Sequence, residues 1–226
     1  MNDKPHYAGH RKRLRERFLK AGTESLADYE MLELVLFLCH RRQDVKPLAK
    51  SLLKRFGSFS EVISAEPKAL AEVDGVGEAV AVALKTVQAA ALRLARGQVM
   101  DRPVLSNWRA LMDYCRASMS FEATERFRIL YLNNKNVLIA DEEQQKGTVD
   151  HTPVYPREVV KRALEINATA IIMVHNHPSG DPSPSKADIE MTREVAAAGE
   201  KLGITLHDHV IVSKGGIVSF KETGLL

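Results

Sequence analysis

The stretch that decides the fold is VHNHPSGDPSPSKAD, residues 174–188. It begins at the end of the strand-like run 169–174, which predicts a buried strand, and its Pro, Gly and Ser residues cannot continue that strand. Ser185 and Asp188 form an S-x-x-D pattern, which is typical of a helix start. The stretch therefore predicts a strand, a reversing loop and a helix, as found in an α/β sheet covered by helices.

Three side chains in this stretch have the chemistry of metal ligands. Because strand side chains alternate between faces, His175 and His177 point the same way, whereas Asn176 points elsewhere. Once the loop reverses the chain, the carboxylate of Asp188 can complete the set. Two imidazoles and one carboxylate are the usual protein ligands of a catalytic Zn²⁺, which keeps a fourth position for water. Taken singly, each feature also has a structural explanation, since capped helix starts and hydrogen-bonded histidines are common.

Strands and helices alternate on both sides of this stretch. The predicted strands are residues 126–132, 137–140, 169–174, 204–212 and 216–220, and the last two form a closing hairpin. The predicted helices are residues 107–119, 155–167 and 186–202. This alternation predicts an α/β sheet covered by helices.

The front of the chain is predicted to be all-helical. Apolar residues recur at spacings of three and four, as in Tyr29, Leu32 and Leu36, and a last helix is predicted over residues 78–96. The segment 97–103 then contains Gly, polar residues and Pro without periodicity. It predicts a boundary between two domains, residues 1–100 and residues 103–226.

Composition restricts the class of protein. The chain has 226 residues, of which 45% are hydrophobic and 27% charged, so a disordered chain is excluded. Its apolar runs are far shorter than the ~20 residues that span a bilayer, and the basic run 10–13 precedes no apolar segment. We therefore expect no transmembrane helix, no secretory signal and a cytoplasmic location. Cys39 and Cys115 belong to no metal or redox motif and are predicted to be free core thiols.

Positive charge is concentrated at the front. Residues 1–102 hold 18 Lys and Arg against 13 Asp and Glu, whereas residues 103–226 hold 14 against 16. Residues 1–20 alone carry seven Lys and Arg against two acids. Such a segment either attracts phosphate or forms the solvated face of an amphipathic helix.

The spacing of His175, His177, Ser185 and Asp188 is similar to the JAMM signature of JAB/MPN-domain metalloproteases. The wording HNHPSGDP, PSKAD and LHDH, at residues 175–182, 184–188 and 206–209, resembles the bacterial RadC family more closely. In the front, DVKP, FGS and GVG, at residues 44–47, 56–58 and 75–77, resemble the helical N-terminal region of RadC proteins. The resemblance covers nearly the whole chain. It implies a JAB/MPN, cytidine-deaminase-like α/β sheet preceded by a small all-α domain with a helix-hairpin-helix-like segment.

The resemblance also implies a function. His175, His177 and Asp188 would bind Zn²⁺, and Ser185 would hydrogen-bond the oxyanion of a tetrahedral intermediate. The implied reaction is hydrolysis of a peptide or isopeptide bond in a peptide or protein substrate, which the sequence does not identify.

The family pattern further implies an upstream glutamate that acts as general base. The residue that matches it best is Glu125, just before the first predicted strand of the second domain. Three other glutamates are rivals for this role, namely Glu122, Glu142 and Glu143. The later pair Asp208 and His209 either supports the metal site or a substrate groove, or occupies structural positions on a half-buried strand.

A second function is left open by the front of the chain. Residues 70–81 resemble a helix-hairpin-helix, in which backbone N–H groups hold a DNA phosphate, although Glu78 at the helix start opposes a phosphate. With the basic residues 11–17 and the association of RadC with DNA repair, this indicates a DNA-associated recombination or repair accessory protein whose metal site is structural or vestigial. A nuclease of the HNH class is disfavoured because the residues at 175–177 are consecutive rather than dispersed. A zinc nucleobase deaminase is disfavoured because H-x-E with P-C-x-x-C is absent.

Overall fold

The computed structural model describes residues 9–146 and 154–226. The part of the basic segment 1–20 that precedes Gly9 lies outside the described residues. The chain divides into two compact units, one ending at Ala90 and the other beginning at Ala91. Each unit has hydrophobic clusters of its own.

The first unit is all-helical. Its helices are α1 (His10–Ala21), α2 (Asp28–Cys39), α3 (Lys46–Phe56), α4 (Phe59–Ser64), α5 (Pro67–Ala71) and the start of α6 (Glu78–Val99). Pro47 lies in the first turn of α3, and Gly57 follows its end with a φ of 109°, a conformation that favours glycine. Buried leucines from α2, α3, α5 and α6 form its core, among them Leu32, Leu52, Leu70 and Leu84.

The division between the units differs from the sequence prediction. It lies inside α6, upstream of the segment 97–103 where the loss of periodicity places the boundary. The helix continues through Gly97 as far as Val99. A single glycine costs a helix only about 1 kcal/mol, which is too little to end one of this length.

The second unit is a sheet with helices on both faces. Its elements are α7 (Trp108–Met119), β1 (Arg126–Leu132), β2 (Leu138–Lys146), α8 (Pro156–Glu165), β3 (Ala170–Asn176), α9 (Lys186–Glu200), β4 (Thr205–Ser213) and β5 (Gly216–Ser219). The strand order is β2-β1-β3-β4-β5. The central pair β3 and β4 is parallel because α9 connects the two strands, and the other neighbours are antiparallel. The unit is therefore the α/β sheet covered by helices that the sequence predicts.

The two faces of the sheet have separate cores. Side chains of α7 cover one face, and side chains of α8 and α9 cover the other. Every residue of β3 is buried, which explains why residues 170–174 form an uninterrupted apolar run.

A bulge in β4 decides which of its residues face α9. Ile171 of β3 pairs with Leu206, but the next residue, Ile172, pairs with Asp208, so that His207 is an extra residue in the strand. One extra residue reverses the alternation of faces beyond it. As a result His209, and not Asp208, shares the α9 face with His175.

Both cysteines are free. Cys115 lies in the core, where burial raises the pKa of its thiol to about 12. Cys39 is only partly buried and donates to the carbonyl of Ala79. Within residues 9–146 and 154–226, no helix is both long enough and apolar enough to cross a membrane.

Candidate metal centre

His175, His177 and Asp188 meet at the carboxyl end of β3. The Nε2 atoms of the two histidines are 3.0 Å apart. Asp188 Oδ1 lies 3.2 Å from His175 Nε2, and its Oδ2 lies 3.5 Å from His177 Nε2. The ligand atoms of these residues all lie within 4.8 Å of one another. The structure thus brings together the ligand set that the sequence spacing predicts.

Backbone pairing keeps both histidines on one face. His177 follows the last residue of β3, and its N–H donates to the carbonyl of Val212 on β4 at 3.0 Å, which prolongs the ladder by one residue. The loop then turns at Gly180, whose φ is 90°. Ser213 Oγ donates to the Gly180 carbonyl at 2.8 Å and anchors the turn against β4.

A capping box aims the carboxylate of Asp188. The N–H of Asp188 donates to Ser185 Oγ at 3.1 Å, and the N–H of Ser185 donates to Asp188 Oδ2 at 2.7 Å. Burial alone would raise the pKa of the Asp188 carboxyl, but its contacts with the rings of His175 and His177 outweigh burial and hold that pKa far below its usual range. The hydrogen bond to Asp188 in turn raises the pKa of His177 above its usual value. The three groups are therefore electrostatically coupled.

The donor set fits a divalent cation. The Nδ1 atom of His177 lies 2.9 Å from the carbonyl oxygen of Asp181. Because a carbonyl only accepts, Nδ1 carries the ring proton, and neutral His177 presents an unshared pair at Nε2. This pair, the carboxylate of Asp188 and the Nε2 atom of His175 face one another. Such a set of two nitrogens and one carboxylate is suited to Zn²⁺.

Glu125 directly precedes β1. Its negative charge contributes to the raised pKa of His177. The rival glutamates form other ion pairs: Glu142 with Arg162 at 2.6 Å, and Glu122 and Glu143 with Arg126 at 2.7 and 3.5 Å. Of the four candidates, Glu125 is the one whose charge acts on His177 in the described contacts.

Asn176 supports Glu125 in a way that sequence reasoning missed. Its side-chain amide donates to the carbonyl of Thr124 at 3.1 Å and accepts the N–H of Arg126 at 2.8 Å. The backbone is thus held on both sides of Glu125. Asn176 is 1% exposed, and a buried amide between two histidines was the signal that could have revealed this role.

Asp208 and His209 have different environments. The carboxylate of Asp208 accepts from Ser219 Oγ at 2.5 Å and from the N–H groups of His209 and Lys221 at 2.8 and 3.0 Å, so it has a structural role. His209 instead places its Nε2 2.8 Å from Nδ1 of His175. Burial holds the pKa of His209 well below its usual value. His209 therefore stands directly behind a metal-ligand candidate.

The basic residues of α1 have partners within the first unit. Arg11 donates to the carbonyls of His40 and Gln43, and its guanidinium lies 4.4 Å from the ring centre of Phe37. Arg17 forms an ion pair with Glu30. These two cations therefore contact residues of their own unit, in exposed interactions of a kind that adds little to stability.

Comparison with known proteins agrees with the sequence resemblance. A family model described as a RadC-like JAB domain matches residues 105–225, and one described as UPF0758 N-terminal matches residues 8–82. A UPF0758 protein of Rhodobacter capsulatus is 62% identical over 213 residues, which are 94% of this chain and 100% of the relative. A UPF0758 protein of Ruegeria pomeroyi is 60% identical over 217 residues, 96% of this chain and 97% of the relative. The chain therefore belongs to the UPF0758 family of proteins with a RadC-like JAB domain.

Proposed function

We propose that the second unit is a zinc-dependent hydrolase of the JAMM type that cleaves a peptide or isopeptide bond. The observation that carries this proposal is the convergence of His175, His177 and Asp188, and a further carboxylate, Glu125, has a charge that acts on His177. Two imidazole nitrogens 3.0 Å apart, both facing one carboxylate, are close enough to bind a single cation together.

Each residue has a defined task in this reaction. A zinc ion held by the three ligands would supply Lewis-acid polarisation of the scissile carbonyl and would acidify a water molecule. Glu125 accepts a proton at its carboxylate and passes it to the nitrogen of the leaving amine. Ser185 accepts from the N–H of Asp188 through its oxygen, and its own O–H proton can donate to the carbonyl oxygen as negative charge develops there.

Zinc content and hydrolysis test the proposal together. We expect about one zinc per wild-type chain. In a panel of fluorogenic peptides, some of them with a Lys isopeptide bond, we expect the wild-type protein to hydrolyse at least one. Glu125→Gln should keep zinc and lose about 100-fold or more in rate, the lower end of what general acid-base catalysis contributes. Glu142→Gln, at the Arg162 ion pair, is the matched control and should keep full activity.

Two results would contradict the proposal. One is a folded wild-type protein that takes up no zinc after reconstitution. The other is Glu125→Gln protein that hydrolyses the same substrate at the wild-type rate, which would move the role of general base to another group.

The second function suggested by the sequence, a DNA-associated repair accessory, stays a prediction. The turn between α5 and α6 contains Gly75 with a φ of 86°, which suits a tight hairpin. Arg17, however, pairs with Glu30, and Arg11 donates to carbonyls of its own unit, so both guanidinium groups have fewer N–H donors left for a DNA phosphate. Measurement of DNA binding at several salt concentrations would test it.

A further inference from the structure

A chain of buried hydrogen bonds runs behind His175. It joins the backbone carbonyl of Asp188, the hydroxyl of Thr192, the imidazole of His209 and the imidazole of His175. The distances are 2.5 Å from Thr192 Oγ1 to the Asp188 carbonyl, 2.6 Å from Thr192 Oγ1 to His209 Nδ1, and 2.8 Å from His209 Nε2 to His175 Nδ1. We refer to these four groups as the hydrogen-bond chain.

The carbonyl at the start fixes the direction of every bond in this chain. A carbonyl oxygen only accepts, so the single hydroxyl proton of Thr192 must be donated to Asp188. Towards His209 the Thr192 oxygen can therefore only accept. It follows that Nδ1 of His209 carries a proton.

The same reasoning continues to the metal-ligand candidate. His209 is 0% exposed between the rings of Phe127 and Phe220, a setting that disfavours a charged imidazole. With its one proton on Nδ1, the Nε2 atom of His209 is an acceptor and takes the Nδ1 proton of His175. The remaining nitrogen of His175, Nε2, then has an unshared pair directed at Asp188 and His177.

We infer that Thr192 and His209 are positioning residues that fix His175 in the Nδ1–H tautomer and so present its Nε2 atom to a metal ion. The inference rests on the proposed function for the identity of that ion. Outer partners that fix the tautomer of a ligating histidine in this manner typically contribute 10- to 100-fold to metal affinity.

Packing prevents the rings from finding other partners. The His175 ring is stacked on Phe127 with a centroid distance of 5.4 Å and an angle of 9° between the planes. His209 lies 4.5 Å from Phe220, and Thr192 is 1% exposed. Within this buried environment, a ring that flipped would leave a donor without a hydrogen-bond partner, which is unfavourable.

The two histidines thus depend on different supports. The tautomer of His177 depends on a carbonyl of the loop, that of Asp181, and His177 keeps 18% of its side chain exposed. The tautomer of His175 depends on a hydroxyl of α9, one turn after Asp188. One helix therefore supplies one candidate ligand, Asp188, and through His209 of β4 also orients a second, His175.

Substitution of Thr192 tests the inference. Thr192→Val keeps the shape but removes the hydroxyl, whereas Thr192→Ser keeps the hydroxyl and is the matched control. In metal-free protein at mildly alkaline pH, imidazole ¹⁵N shifts should show Nδ1–H for both His175 and His209 in the wild type and in Thr192→Ser. In Thr192→Val, His209 should move towards the Nε2–H form and drive His175 to the Nε2–H form with it.

Zinc affinity provides the second measurement on the same proteins. By competition with a chelator, the dissociation constant for zinc should rise about 10- to 100-fold in Thr192→Val and stay within a few-fold of the wild type in Thr192→Ser. Circular dichroism establishes that both variants are folded. Wild-type protein with Nε2–H on His209, or a Thr192→Val variant with wild-type tautomers and zinc affinity, would overturn the inference. Wild-type protein that shows the expected tautomers but binds no zinc would instead overturn the proposed function.

Discussion

The two units contain the same local motif at two helix starts. In the first unit, the N–H of Glu61 donates to Ser58 Oγ at 3.2 Å and the N–H of Ser58 donates to Glu61 Oε2 at 3.1 Å, at the start of α4. In the second unit, Ser185 and Asp188 exchange the same two hydrogen bonds at the start of α9, at 3.1 and 2.7 Å. Both are capping boxes with a serine N-cap.

The surroundings of the two carboxylates differ. Glu61 uses Oε2 for both the N–H and the hydroxyl of Ser58, so this oxygen is committed to its own helix start. Asp188 gives Oδ2 to its helix start and turns Oδ1 towards Nε2 of His175 at 3.2 Å. A capping box therefore fixes the direction of a carboxylate. The residues that the carboxylate faces decide whether it has a role besides capping the helix.

Neutralising each of the two carboxylates should have the largest effect on zinc affinity, and it should distinguish a carboxylate that only caps its helix from one that also binds metal. Asp188→Asn keeps an oxygen that accepts the N–H of Ser185, but it removes the anionic ligand. We expect zinc affinity to fall more than 100-fold, beyond the effect of outer partners, because a direct ligand is lost. A chelator competition titration measures it.

The matched variant is Glu61→Gln, which removes the same charge from the other capping box. Its zinc affinity should equal that of the wild type. Equal loss of zinc in both variants, or no loss in either, would show that the two helix starts do not differ in their effect on metal binding.

The pH dependence of zinc binding should reflect the same contrast. The hydrogen bond to Asp188 raises the pKa of His177 above 6.5. Zinc must displace that proton, so its apparent affinity falls as the pH drops through the raised pKa, by up to about tenfold per pH unit for one proton. The decline should begin above pH 6.5, in titrations of zinc binding against pH.

Variants at the two helix starts locate the cause of that decline. In metal-free protein, NMR titration of His177 should give a lower pKa in Asp188→Asn than in the wild type, because the acceptor charge is gone. Glu61→Gln should leave the His177 pKa unchanged. If the pKa of His177 were the same in Asp188→Asn as in the wild type, a group other than Asp188 would be the cause of its shift.

Local patterns in the sequence predict most of the elements. The run 126–132 coincides with β1, and the two histidines and Asp188 meet as their spacing predicts. The strand predicted at 137–140 is longer in the structure, where β2 extends from Leu138 to Lys146. Its polar half shows no apolar alternation because it is an edge strand whose charges, such as that of Asp141, pair with Arg128 of β1.

The supports of the site could not be predicted from local patterns. Whether Asp208 or His209 faces the candidate metal ligands depends on one bulged residue, His207. No local sequence pattern predicts that register shift. The contact of Thr192 with His209 depends on how α9 packs on β4. Such contacts join residues far apart in the sequence, so only the folded chain shows them.

The smallest expected difference concerns the serines of the two boxes. Ser58→Ala and Ser185→Ala should each cost about 1 kcal/mol, since each removes an N-cap acceptor. The only tryptophan, Trp108, lies in α7 and reports unfolding of the second unit by fluorescence, whereas far-UV circular dichroism follows the helices of both units. Urea unfolding should therefore show the loss in both signals for Ser185→Ala, but only in the dichroism signal for Ser58→Ala.

Added zinc should enlarge the difference between the unfolding transitions of Ser185→Ala and Ser58→Ala. Ser185→Ala retains its ligands, so saturating zinc should raise its fluorescence midpoint by mass action, about 2.7 kcal/mol at a free zinc concentration 100 times the dissociation constant. The transition of the first unit in Ser58→Ala should not respond to zinc. If zinc stabilised both transitions equally, the two helix starts would unfold as one cooperative unit. The effect of zinc would then not be specific to the unit that contains the capping box of α9.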